Sequence, residues 1–110
     1  MPLTREFKET VQARAHRDSD FRRALLGEAV ETLMSGDLEL GKTLLRDYVN
    51  ATVGFEGLSE SSEIPVKSLM RMLSNDGNPR SDNLFKVLRV LQEKEGVNFD
   101  AVLHQHAAMA

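Results

Sequence analysis

Apolar residues return every third or fourth position along nearly the whole chain, and no run of alternating β-branched residues is long enough for a convincing strand. That spacing puts side chains on one stripe of a helix rather than one face of a pleated strand. The sequence therefore predicts an all-α fold of five to six helices. A first helix is expected from Thr4 to His16, with Thr4 as its cap and Phe7, Val11 and Ala15 on its stripe. The segment RDSD (17–20) supplies capping residues, and a second helix starts at Ser19 or Asp20. Phe21, Leu25, Leu26, Ala29, Val30, Leu33 and Met34 form its apolar face, and SGD (35–37) ends it. A third helix runs from Leu38 to Ala51, with Leu40, Leu44, Leu45, Tyr48 and Val49 facing inward. Gly54 marks its close, being the residue type that accepts a left-handed conformation.

Beyond Gly54 the elements shorten. FEGLSES (55–61) is barely two turns, Pro65 to Leu73 is two to three, and SNDGNP (74–79) is loop. Ser81 or Asp82 is expected to cap a last long helix reaching Lys94, built on Leu84, Leu88 and Leu91 with Phe85 beside them. EGVN breaks it, and FDAVLHQHAAMA forms a tail. No repeat, low-complexity tract or interdomain linker interrupts the 110 residues, a length suited to one modest core. Residues 1–37 read as an N-terminal helical extension packed on the core, and 38–110 as the remaining domain with its tail, in a single structural unit.

The chain holds no cysteine, which removes disulfides, thiolate metal sites and cysteine nucleophiles. The N-terminus is charged throughout and lacks the apolar core of a signal peptide, and no stretch is long enough for a membrane span; a cytoplasmic location is expected. The net charge of −3 counts mildly against a nucleic-acid partner, so its distribution matters more. Residues 24–57 carry two basic and six acidic side chains, whereas 1–23 carry six and four, and 58–94 carry six and five. Both flanking segments are thus slightly positive.

Chemistry is sparse. His104 and His106 could bind a metal only if further ligands converged on them, since zinc takes four. Tyr48 lies on an apolar face, where a hydroxyl satisfied by a partner is the ordinary case. GNP lacks the Lys-Ser/Thr of a nucleotide loop. Pairs such as Glu28 with Glu31 and Asp37 with Glu39 read as solvated charge. No catalytic constellation and no cofactor site emerge, so an enzyme is not expected.

Two short helices joined by a tight turn and flanked by longer ones form a helix-turn-helix, the arrangement that carries a recognition helix into the DNA major groove. Leu58, Ile64, Leu69 and Met72 or Leu73 occupy the positions that must be buried, with Ile64 plugging the angle. Pro65 suits the first helical turn, where its missing N–H costs nothing. The helical period then turns Val66, Lys67, Met70 and Arg71 outward as base-reading candidates, with Ser68 at the margin. Arg can bond guanine O6 and N7 together, and Val or Met can touch a thymine methyl. Asn75, Asn78 and Arg80 in the loop, with Ser68 and Ser81, are the phosphate candidates. The plainer alternative is that Lys67 and Arg71 form a solvated face and Met70 fills the core. Arg14, Arg17, Arg22 and Arg23 likewise read either as a solvated corner or as an extra contact for phosphate or an acidic partner.

LSESSEIPVKSLMRMLSNDGNPRSDNLFKVLRVL (58–91) resembles the helix-turn-helix of the XRE, or lambda-repressor-like, class. SLMRMLSNDGNPRSDNLFKVLRVLQ is similar to the C-terminal half of HigA-like addiction-module antidote proteins through Ser68, Leu69, Arg71, Leu73, Gly77, Asn78, Pro79, Leu84, Val87 and Leu88. LGKTLLRDYVNATVGFEGLSE (40–60) resembles the first helix of the same domain, so the likeness covers roughly residues 38–94. It implies a lambda-repressor-like domain, a homodimer that represses its own operon on an inverted-repeat operator, and a small RelE- or ParE-like toxin as partner. Two positions depart from that pattern. Glu63 stands where the turn usually has glycine, at a cost of about 1 kcal/mol for a left-handed non-glycine residue, and Ser59 stands in place of alanine. Glu60 and Glu63 also add negative charge near the proposed DNA face. A protein-interaction module with little DNA affinity is therefore the alternative reading. Phe99, Val102 and Leu103 are candidates for the dimer surface.

Overall fold

The computed structural model describes residues 5–96. Within them the chain forms six helices and no strand: α1 (Arg5–Arg17), α2 (Ser19–Met34), α3 (Leu38–Ala51), α4 (Gly54–Ser62), α5 (Val66–Met72) and α6 (Ser81–Glu95). This is the all-α fold that the apolar spacing predicts. No helix among the described residues is long and apolar enough to cross a membrane. The expected Thr4 cap, the histidines His104 and His106, and Phe99, Val102 and Leu103 lie outside the described residues.

Each early boundary is written in local chemistry. Asp18 caps α2, its carboxylate accepting the Phe21 N–H at 3.1 Å, and Arg14 lies over the Phe21 ring at 4.5 Å while pairing with Asp18 at 3.6 Å. RDSD does supply the cap, one residue ahead of the serine. Asp37 caps α3 in the same way through the Leu40 N–H at 3.1 Å. Gly54 adopts φ +75°, but it opens α4 instead of ending α3, whose C-cap is Thr52. α6 departs from expectation: its N-cap is Arg80, in extended conformation, with no side-chain cap. The Arg80 carbonyl already accepts the Leu84 N–H at 2.9 Å, so Ser81 and Asp82 fall inside the helix.

The core is one cluster drawn from five helices. Leu26, Ala29 and Val30 of α2 meet Leu45, Tyr48 and Val49 of α3, Leu58 of α4, Leu69 and Met72 of α5, and Val87, Leu88 and Leu91 of α6. Several residues placed inward by spacing are instead exposed: Phe7 on α1, Met34 at the end of α2 and Leu40 at the start of α3. Met34 and Leu40 flank the α2–α3 turn, where the helices end and no neighbour among the described residues covers their outer edges. Phe85 follows the half-buried Leu84 by about 100° of helical rotation and is 64% exposed.

α1 is held mainly by polar contacts, burying only Ala15. Gln12 donates to the Asn50 carbonyl at 3.0 Å, and Arg22 donates to the Ala15 carbonyl at 2.5 Å. Arg22 also pairs with Glu95 at 3.1 Å, and Tyr48 donates its hydroxyl to the same carboxylate oxygen at 2.5 Å. Glu95 is 9% exposed; its two partners offset the desolvation that makes an isolated buried charge so unfavourable. Burial, then the neighbouring Glu95, pushes the Tyr48 phenol well above its ordinary pKa. The satisfied buried hydroxyl expected at Tyr48 is what the structure contains.

The Phe21 N–H, chiefly, holds the Asp18 carboxyl below its ordinary pKa, against an opposing effect of desolvation and with help from Arg14. A depressed folded-state pKa contributes stability that is present above the unfolded value of about 4 and is lost as pH falls through the folded value. Asp18→Asn keeps a capping oxygen but does not titrate. Thermal unfolding followed by circular dichroism should show a smaller drop in midpoint between neutral pH and about pH 3 in the variant than in the wild type.

Candidate nucleic-acid interface

α4, the turn at 63–65 and α5 form a braced pair. Glu63 sits at φ 61°, ψ 20°, the left-handed conformation usually given to glycine, and is the only non-glycine residue with positive φ among those described. Ile64, 8% exposed, fills the angle between the helices. Pro65 is the N-cap of α5 at φ −57°, ψ 145°, one residue earlier than the first-turn position expected for it. Two serines lace the turn: Ser59 donates to the Ile64 carbonyl at 2.6 Å, and the Ile64 N–H donates to the Ser62 hydroxyl at 3.2 Å. The serine that departs from the resembled pattern at 59 thus bonds the very turn that Glu63 strains. Neither serine's role was signalled by apolar spacing.

Leu69 and Met72 point into the core. Lys67, Ser68, Met70 and Arg71 are exposed, while Val66 is only half-exposed. Spacing alone separates the exposed Met70 from the buried Met72. The outward face predicted for α5 therefore exists as a surface, with Val66 at its edge.

The loop after α5 is tightly built. Ser74 donates its hydroxyl to the Arg71 carbonyl at 2.7 Å, and the Gly77 N–H donates to Ser74 O at 3.0 Å. A Cβ on Gly77 would strike the Arg71 carbonyl oxygen and lie 3.0 Å from the Met72 carbonyl, so glycine permits this backbone-on-backbone approach. From below, α3 supplies two cations. Lys42, 1% exposed, donates to Gly77 O at 2.6 Å and Asn75 O at 3.4 Å and pairs with Glu39 at 3.2 Å. Arg46 donates to Leu73 O at 3.0 Å, capping the negative end of α5.

Sequence reasoning passed over Lys42 and Arg46, although they are the two basic residues of segment 24–57 and lie four apart on one helix face. Asn75, Asn78, Arg80 and Ser81 are all exposed. Arg80 is not a lone cation, because Asp82 pairs with it at 3.4 Å; both side chains are mostly exposed, so the pair is weak and exchangeable. At the α1–α2 corner Arg14 and Arg22 are engaged internally as described, Arg23 faces Asp20 at 3.9 Å, and Arg17 is exposed. Among the described residues no three His, Cys, Asp or Glu side chains are grouped to hold a metal ion.

Two variants test the turn and the loop. Glu63→Gly removes left-handed strain and should raise the unfolding midpoint by a few degrees, roughly 0.5–1 kcal/mol, whereas Glu63→Ala keeps the strain and should not. Gly77→Ala should cost about 1–3 kcal/mol in chemical denaturation, because its methyl group meets immobile backbone.

No protein-family model, curated protein or solved structure matches this chain.

Proposed function

We propose that the protein is a helix-turn-helix repressor that binds operator DNA, and that it serves as the antitoxin of a toxin–antitoxin operon in the cytoplasm. The observation that carries this reading is the left-handed turn at Glu63, which sets a two-turn helix against a brace with Lys67, Met70 and Arg71 exposed and Leu69 and Met72 buried. A helix held this way can present side chains to base edges while the Asn75–Arg80 loop lies alongside a phosphate strand. As a homodimer, the protein would set its two recognition helices about 34 Å apart on an inverted repeat. A RelE- or ParE-like toxin is the partner proposed from the resemblance of residues 38–94 to HigA-like antidote proteins.

One observation favours a second reading. Glu60 and Glu63 are exposed beside the turn, and the chain is acidic overall, as suits a module that binds a basic protein rather than phosphate.

Fluorescence anisotropy with the DNA upstream of the protein's own gene separates the two. Wild type should bind one sequence specifically and weaken steeply between about 50 and about 200 mM salt. Lys67→Ala/Arg71→Ala should lose sequence preference and about 10- to 100-fold in affinity. Absence of specific binding at both salt concentrations would leave the protein-interaction reading in its place.

A further inference from the structure

We propose that the cleft between α1 and α3 binds a guanidinium group carried on a short apolar stem, with the Asp47 carboxylate as its counter-ion. The inference stands independently of the DNA-binding reading above.

The cleft has a volume of about 200 Å³ and is lined by Lys8, Val11 and Gln12 of α1 and by Asp47, Asn50 and Ala51 of α3. Each trio has the i, i+3, i+4 spacing that places three side chains on one face of a helix. Because α1 buries only Ala15, its packing against α3 leaves this space open. Val11 is half-buried and Ala51 is buried, and they give the cleft an apolar part.

The polar part is rich in oxygen that nothing uses. Asp47 is half-buried, yet among the described residues its carboxylate has no hydrogen-bond donor and no ion-pair partner. Two cations lie within its field without touching it: Arg46, whose guanidinium donates to Leu73 O at 3.0 Å, and the exposed Lys8. Burial, against the pull of both, raises the Asp47 carboxyl above its ordinary pKa. A carboxylate stripped of water and left unpaired gains most from a cation brought to it. Gln12 gives its Nε2 to the Asn50 carbonyl at 3.0 Å, which leaves its Oε1 as a second acceptor. The Asn50 side-chain oxygen is a third, also without a donor among the described residues.

Several oxygens beside an apolar surface suit a guanidinium better than an ammonium. Guanidinium spreads five N–H donors over a plane and is the more weakly hydrated of the two, so it gives up less on entering a half-buried site. The stem of the ligand then covers Val11 and Ala51. Lys8 works against the ligand, since its positive charge repels a second cation. That repulsion supplies an independent handle.

The test is amide-resolved NMR of the full chain, titrated with butylguanidinium chloride and, in parallel, with butylammonium chloride at equal ionic strength. Butylguanidinium should shift the amides of residues lining the cleft saturably and bind more tightly than butylammonium. Asp47→Asn removes an unpaired charge while keeping the shape, so the fold is retained, and binding should weaken about tenfold. Lys8→Met, an exposed change, should tighten binding about threefold. Shifts scattered over the surface, equal binding of the two cations, or Asp47→Asn with unchanged affinity would each overturn the proposal. A third titration, with acetyl-arginine methylamide, separates two sources of the group. Binding equal to that of butylguanidinium assigns the cleft to an arginine side chain of a peptide, and exclusion of the blocked arginine assigns it to a free small molecule.

Discussion

A helix of seven residues does not persist alone in water, where isolated helices shorter than about 12–15 residues are marginal. α5 has that length, so its position must be imposed by its surroundings. Leu69 and Met72 anchor it from beneath, Ile64 wedges its start, and Leu73 is fully buried just past its end. Burying one such leucine stabilises by about 2 kcal/mol, enough to hold two turns only when several act together. The left-handed turn before α5 and the folded loop after it complete the confinement. Apart from Ser81 at the start of α6, every residue proposed to face DNA is carried by this short piece or by the loop that follows, so their geometry is borrowed from the brace.

α3 provides much of that brace, by an unusual division of labour. Leu45 and Val49 bury themselves in the core, as an apolar helix face should. Lys42 and Arg46, on the same side of the helix, extend to carbonyl oxygens at the end of α5 and in its loop, while Tyr48 reaches toward the end of α6. These polar groups end on oxygen atoms; no buried side-chain nitrogen or oxygen among the described residues lacks a partner. Satisfied groups of this kind fix one arrangement, because breaking a buried ion pair costs about 3–5 kcal/mol through the charge left behind.

How much of this could be read from the sequence depends on the kind of force involved. Helix spacing reports burial, so it located the helices, the wedge at Ile64 and the contrast between Met70 and Met72. Caps are short-range hydrogen bonds and were legible to within a residue, as at Asp18. The shift at Arg80 arose because a backbone carbonyl, which leaves no trace in side-chain chemistry, began the helix. Exposure at Met34 and Leu40 depends on where neighbouring helices stop, which periodicity does not encode. Lys42 was missed for a related reason. Its partners are main-chain carbonyls 33 and 35 residues away, and a lysine on an otherwise apolar face looks like a solvated charge until the chain closes over it.

The guanidinium of Arg22 joins the last turn of the first helix to the last turn of the final one, through Ala15 O and Glu95. Its two partners are separated in sequence by nearly the whole described chain, so the link closes a very long loop, and contacts of that separation form late because chain entropy opposes them. The outer helices are thereby made interdependent: fraying at α6 would free the guanidinium, and with it the carbonyl that secures α1. Helix ends ordinarily open independently and at little cost. Here one side chain holds both ends, and α1, which buries little of its own surface, takes part of its anchorage from the last turn of α6.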